Sequence, residues 1–182
     1  MQNLTLIEPK LVPPLEAQFR PAVLANRAFR QATAEAGVSL VLGLERDHQQ
    51  VSRFETRVFP ESHPQSNTNL AYVERLVKFL LWARGGHTVY VGGPRSIGQD
   101  LSRIYAPGGA RQFDYDFMGR QVYEQEFRIL SCTPEEVPPT QEIGKALGRH
   151  LEGCRIGFDL GASDRKVSAV IDGQAVYSEE VV

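Results

Sequence analysis

A mixed α/β protein is the fold class that three features of this sequence predict. Strand-like apolar stretches alternate with stretches of helical periodicity, and short Gly- and Pro-rich runs separate them. A strand–helix–strand–helix run in the middle of the chain predicts a partly parallel, mixed sheet. With 182 residues, 42% apolar and 23% charged, the chain has the composition of an ordinary globular protein. It can bury one core, or one core plus an incomplete second unit.

Residues 1–20 contain Pro9, Pro13 and Pro14 and predict an extended arm. Pro21 stands where a helix would begin, Ala22 to Ala36 are rich in Ala, Gln and Arg, and Gly37 supplies a stop. Val38 to Leu44 reads as a strand. Val51 to Phe59 alternates well enough to be its antiparallel neighbour across Arg46 to Gln50. After a loop from Pro60 to Gln65, Ser66, Asn67, Thr68 and Asn69 offer capping side chains to the clearest helix, Leu70 to Arg84. Leu70, Val73, Val77, Leu80 and Leu81 form its apolar stripe, with Glu74 and Lys78 four apart on another face. Tyr72, Phe79 and Trp82 widen that stripe and predict burial on more than one side.

Gly85-Gly86 ends this helix, and His87 to Val91 is a strand. Gly92-Gly93-Pro94 is a sharp turn into a second helix, Ser96 to Tyr105. Beyond the break at Gly108-Gly109, Gln121 to Leu130 alternates, with Val122, Tyr123, Phe127 and Ile129 as strand positions. Pro134 to Pro139 is the most linker-like stretch, and Thr140 caps a short helix over Gln141 to Leu151. The predicted organisation is an arm (1–20), an α/β accessory domain (21–137), and a linker helix leading into a second, unfinished unit (138–182).

Several function classes are excluded. A net charge of −2 and a pI near 6.1, with no basic patch, argue against a nucleic-acid partner. Cys132 and Cys154 form neither a disulfide framework nor a zinc motif, and two reduced thiols are expected. The N-terminus lacks the features of a signal peptide, and no apolar run approaches the ~20 residues that span a bilayer. The expected location is the cytoplasm, with no membrane partner.

The segment with most chemistry is the last one. A strand starting at Arg155, apolar and expected to be buried, ends in the carboxylate Asp159; Gly161-Ala162-Ser163-Asp164 and a second strand closing on Asp172-Gly173 follow. Gly161 permits close backbone approach, and successive amides in such a turn can form an anion-binding concavity. Ser163 adds a hydroxyl donor, and Lys166 or Arg165 adds positive charge. Asp159 would repel phosphate directly; its natural task is to hold Mg²⁺ through water. Asp, Gly and Ser are also ordinary turn residues, so a plain β-hairpin fits the same spacing.

This segment resembles the first phosphate motif of the ROK family of sugar kinases and repressors, within the actin-like (ribonuclease H-like) ATPases. The family's form is Asp-x-Gly-Gly-Thr-Lys, an apolar strand and Asp. Here Asp159, Gly161, Ser163 and the strand Val167 to Ile171 before Asp172 correspond. Ala162 replaces the second glycine, and Asp164-Arg165 lengthens the turn before Lys166. The resemblance covers only the residues after Glu152. It implies ATP and Mg²⁺ as cofactors and a sugar as substrate. Asp159 would organise the metal, Gly161, Ala162 and Ser163 would hold phosphate, and Lys166 would support them. Such a hairpin opens a two-lobed kinase, whereas here it finishes the chain. The expectation is therefore the N-terminal portion of a kinase, inactive alone. Its last strand, Gln174 to Val182, would leave an open edge for association with another chain or a homo-oligomer.

A second candidate anion site is Gly93, Arg95 and Ser96, at the mouth of a helix N-terminus. A non-catalytic metabolite-sensing or interaction module is the alternative it supports, although Gly-Gly-Pro also serves simply to turn a strand into a helix. Asp114-Tyr115-Asp116 reads as a solvated loop, and His48, His63, His87 and His150 as surface or loop residues. Trp82, Tyr123 and Phe127 read as core aromatics rather than a sugar-stacking platform.

Overall fold

Leu40, Leu42 and Leu44, at alternate positions of one strand, are almost wholly inaccessible to solvent and mark the centre of the sheet. The structure is a computed structural model that describes residues 6–142 and 151–182. It divides into two compact units, Met1–Ile143 and Gly144–Val182.

In the first unit, β1 (Val38–Arg46) pairs antiparallel along its whole length with β2 (Gln50–Val58), with Val38 opposite Val58 and Arg46 opposite Gln50. The connection is a tight turn in which His48 and Gln49 both have φ of 58°. On the other side β1 pairs antiparallel with β3 (Thr88–Gly92), which pairs parallel with β4 (Arg128–Cys132). The order β2-β1-β3-β4 is the mixed sheet that the strand–helix alternation predicts.

Helices cover one face. α1 (Ala22–Ala32) turns Ala25 and Phe29 inward, one helical turn apart. Phe29 stacks on Tyr72 at 4.1 Å and meets Phe59 edge-on at 5.3 Å. α2 (Asn69–Arg84) buries Tyr72, Val73, Val77, Leu80 and Leu81, and α3 (Arg95–Ile104) buries Ile97, Leu101 and Ile104. These join the inward leucines and valines of the sheet in one core. Gly98 lets α3 approach β4, since a Cβ there would stand 2.6 Å from Ser131.

The opposite face is covered by the chain itself. Gly43 and Gly92 leave a notch in which Val137 is 2% exposed; a Cβ on either glycine would lie 2.8 or 2.5 Å from its methyls. Arg53 donates to the carbonyls of Val137 (2.8 Å) and Pro134 (3.5 Å), and Val51 and Gln141 exchange backbone hydrogen bonds of 2.9 and 3.0 Å. Glu142 accepts from Ser52 at 2.5 Å and pairs with Arg46 at 3.7 Å. Residues 133–142 are thus a strap across the sheet, where a free linker was expected. The short helix expected over Gln141 to Leu151 lies mostly outside the described residues, and Gln141 itself forms an isolated β-bridge.

Several other expectations are corrected. Residues read as the start of a strand at Gln121 are helical: α4 (Gln112–Asp116) runs into a π-helical turn (Phe117–Val122) closed by a bond from Tyr123 N to Met118 O. The wide turn puts Met118 into the core and Gly119 against the backbone at Phe127. Asp114 is buried rather than solvated, accepting from Lys78 Nζ at 3.1 Å and from Trp82 Nε1 at 2.7 Å. Glu74 is also buried and pairs with Arg111, so Glu74 and Lys78 each bind a partner from another element. Phe79 and Trp82 are 67% and 49% exposed, because α2 turns only one flank to the core. His87 is buried, with Nδ1 3.0 Å from Thr88 Oγ1. Asn69 caps no helix; its amide pairs both ways with the backbone of Phe59, at 3.0 and 2.7 Å.

The second unit is a three-stranded antiparallel ribbon, β5 (Cys154–Leu160), β6 (Arg165–Ile171) and β7 (Gln174–Val181), in the order β5-β6-β7. Asp172 and Gly173, with φ of 48° and 82°, form the two-residue turn between β6 and β7, the conformation that suits an Asp-Gly hairpin. No helix among the described residues is long and apolar enough to cross a membrane.

Candidate functional site

The register of the ribbon decides which side chains its first turn brings together. Asp159 lies opposite Lys166, and Lys166 opposite Glu180, so the three stand in a row on one face. Four residues, Gly161 to Asp164, close the turn beside them. Asp164 folds back over it: a Cβ on Gly161 would stand 2.5 Å from its Oδ1. A larger residue there would push the Asp164 carboxylate aside.

Lys166 is already engaged, by Asp164 at 3.0 Å and Glu180 at 3.4 Å. Asp159 and Ser163 are exposed, and among the described residues neither side chain has a hydrogen-bond or ion-pair partner. The turn therefore pairs one free carboxylate and one free hydroxyl with a lysine held between two acids. Arg165 lies opposite Leu160 on the other face, so this cluster of Asp159, Asp164, Lys166 and Glu180 carries three negative charges and one positive. A divalent cation suits this set better than a bare phosphate does, and a metal-bound phosphate fits both halves. No group of three or more His, Cys, Asp or Glu among the described residues is placed to hold a metal outright. That is compatible with a hydrated magnesium ion, which uses only one or two carboxylates. The opposite face of the ribbon is mostly apolar, with Ile156, Phe158 and Leu160 69%, 72% and 79% exposed and Arg165 and Glu179 beside them.

The second candidate lies at the end of the first unit's sheet where β2, β3 and β4 finish. Gly93 turns the chain under Leu40, and its amide donates to Cys132 O at 3.2 Å. Ser96, in the first turn of α3, donates to Glu61 Oε1 through its hydroxyl (2.5 Å) and its amide (3.3 Å). These bonds hold the Glu61 carboxyl below its ordinary range, the hydroxyl bond contributing most. The place where an external anion was expected is filled by the chain's own carboxylate. Arg95 is exposed and takes no part. A cleft of about 500 Å³ opens here, lined by Glu61, Ser66, Asn67, Asn69, Ser96 and Asp100.

Both cysteines are free; burial, chiefly, raises the thiol pKa of Cys132. Glu61, Asp164 and Glu180 were not singled out from the sequence. Asp164 had a legible signal, its place in the turn two residues before Lys166; Glu180 had none, because a register shift between Ala169 and Val170 is what sets it opposite Lys166. Glu61 had none, because 35 residues separate it from Ser96. Comparison of the chain with protein-family models, with curated proteins and with solved structures finds no match.

Proposed function

We propose that the terminal ribbon is the phosphate-facing hairpin of a ROK-like, ATP-dependent sugar kinase. In the complete fold the γ-phosphoryl group passes to a sugar hydroxyl, and the ribbon alone lacks that activity. The observation that carries this reading is the unpaired Asp159 carboxylate beside the Gly161-to-Asp164 turn, across from Lys166. Asp159 holds Mg²⁺ through water, Gly161, Ala162 and Ser163 face the phosphates, and Lys166 balances their charge. Phosphoryl transfer needs both substrates positioned and charge neutralised from several sides, which one hairpin cannot supply. The bare apolar face of the ribbon is consistent with a larger core into which it fits.

Titration of the ¹⁵N-labelled chain with Mg–ATP, followed by NMR, tests this. Weak, millimolar, magnesium-dependent shifts are expected at Gly161, Ala162, Ser163 and Lys166, too weak for calorimetry. Asp164→Asn should strengthen binding by releasing Lys166 from one of its two acids, and Asp159→Asn should abolish the magnesium dependence. Shifts confined to other residues, or indifferent to Asp159→Asn, would sink the proposal. The metabolite-sensing alternative at Gly93, Arg95 and Ser96 has less support, because an anion there must first displace Glu61.

A further inference from the structure

Between α1 and α2 of the first unit runs a groove of about 320 Å³ that neither reading above uses. Its floor and walls are Val23 from α1, Phe54 from β2, and Leu76 and Phe79 from α2. Val23 and Phe79 are 54% and 67% exposed, large apolar side chains left in water beside a core that has taken their neighbours. One turn along α2, Trp82 extends the apolar strip, and Phe113 lies parallel to its ring at 6.3 Å.

The polar side chains of the groove all point to one kind of ligand. Arg30 and Arg75 line it, no acidic side chain does, and neither arginine has an ion-pair partner among the described residues. Elsewhere in this unit Arg46, Arg53, Arg57 and Arg111 are bonded to backbone or carboxylate oxygens, while Arg27 and Arg95, like the groove pair, have no ion-pair partner among the described residues. Asn26 also lines the groove, and its buried Oδ1 has no donor. An unsatisfied buried acceptor is unfavourable, and a backbone N–H brought by a ligand would relieve it. The apolar floor offers little to a sugar phosphate. Two arginines in a chain of net charge −2 are too few for nucleic acid, and a concave slot between helices does not suit a flat membrane.

We infer that this α1–α2 groove is a docking site for an acidic peptide segment of a partner protein. Large apolar side chains of the segment enter against Val23, Leu76 and Phe79, and flanking Asp or Glu residues pair with Arg30 and Arg75. This is the mode in which amphipathic segments occupy helical grooves, with charge complementarity fixing the partner. The inference rests on the first unit alone and does not depend on the kinase reading.

The test is selection of a phage-displayed random peptide library on the full chain. Fluorescein-labelled copies of the enriched peptides are then titrated by anisotropy. Enriched peptides should combine aromatic or aliphatic residues with Asp or Glu, and the double variant Arg30→Glu/Arg75→Glu should weaken them at least tenfold. Val23→Asp, at an exposed position, provides an independent block, and circular dichroism checks that each variant keeps its fold. The inference fails if no peptide is enriched, if enriched peptides lack acidic residues, or if either variant binds them as the natural chain does. Arginine-dependent sedimentation with phosphatidylserine vesicles would overturn it in favour of a membrane surface.

Discussion

Asp114 and Asp116 are two residues apart and chemically identical, yet the structure predicts very different consequences for removing them. Asp114 is 1% exposed, and Asp114→Ala deletes two 3.1 Å bonds from Lys78 and one of 2.7 Å from Trp82. Deleting one member of a fully buried ion pair costs about 3–5 kcal/mol. Lys78 is 38% exposed and can rehydrate, which brings the ionic part down to about 1 kcal/mol. Stranding the half-exposed indole N–H adds about 1 kcal/mol. The expected loss is therefore about 2 kcal/mol, a fall in Tm of roughly 4–8 °C for a unit of this size. Asp116 meets only Arg120, at 3.8 Å on the surface, and a distant Gln112 amide, so Asp116→Ala should change stability by less than about 0.5 kcal/mol. Thermal denaturation followed by circular dichroism measures both. Trp82, the chain's single tryptophan, adds a local reporter whose emission should shift to the red only in Asp114→Ala. Equal Tm values for the two variants would refute the reasoning.

Two further predictions follow from the glycine notch and from Glu61. Gly43→Ala places a methyl 2.8 Å from Val137 and should cost about 1–3 kcal/mol; combined with Val137→Ala it should cost less than the sum of the two changes, a coupling that denaturant melts would detect. A carboxyl held below its ordinary range adds stability that is complete above that range and is lost as pH falls through the lowered value. ¹³C NMR should therefore find Glu61 titrating below the ordinary glutamate range, and Ser96→Ala, which removes the larger of its two bonds, should raise it towards that range. An unchanged titration in Ser96→Ala would break the assignment.

Local signals foretold most of the fold. The β1–β2 hairpin, α2, the β3 strand and the Asp172-Gly173 turn were legible because each rests on periodicity or turn chemistry within a dozen residues. The α4–π segment was not, since Val122, Tyr123, Phe127 and Ile129 mimic a strand, and Phe113 and Phe117, which stack in a helical relation, gave the competing period. Pro134 to Pro139 looked like a linker because Gly43 and Gly92, which receive Val137, lie far away in sequence. At the ribbon turn, the Gly161-to-Asp164 run marked the connection between two strands. That Lys166 would already be held by Asp164 and Glu180 needed the three-strand register. Exposed Phe79 and Trp82 show the limit of composition alone: apolarity says what prefers burial, and packing decides what obtains it.

The strap over the back of the sheet also sets how the first unit answers a pull from downstream. Tension reaching it through residue 143 arrives at Glu142 and loads its contacts with Ser52 and Arg46 first, then the paired hydrogen bonds between Gln141 and Val51. Val137 then leaves its notch together with its carbonyl bond to Arg53, and the Pro134 carbonyl, furthest upstream, parts from Arg53 last. Peeling in this order should free residues 133–142 as extra tether before the helix-covered core is loaded, which a single-molecule pulling trace would show as a separate early step. The fold thus contains a short elastic reserve at its exit, wound onto the face of the sheet that carries no helices.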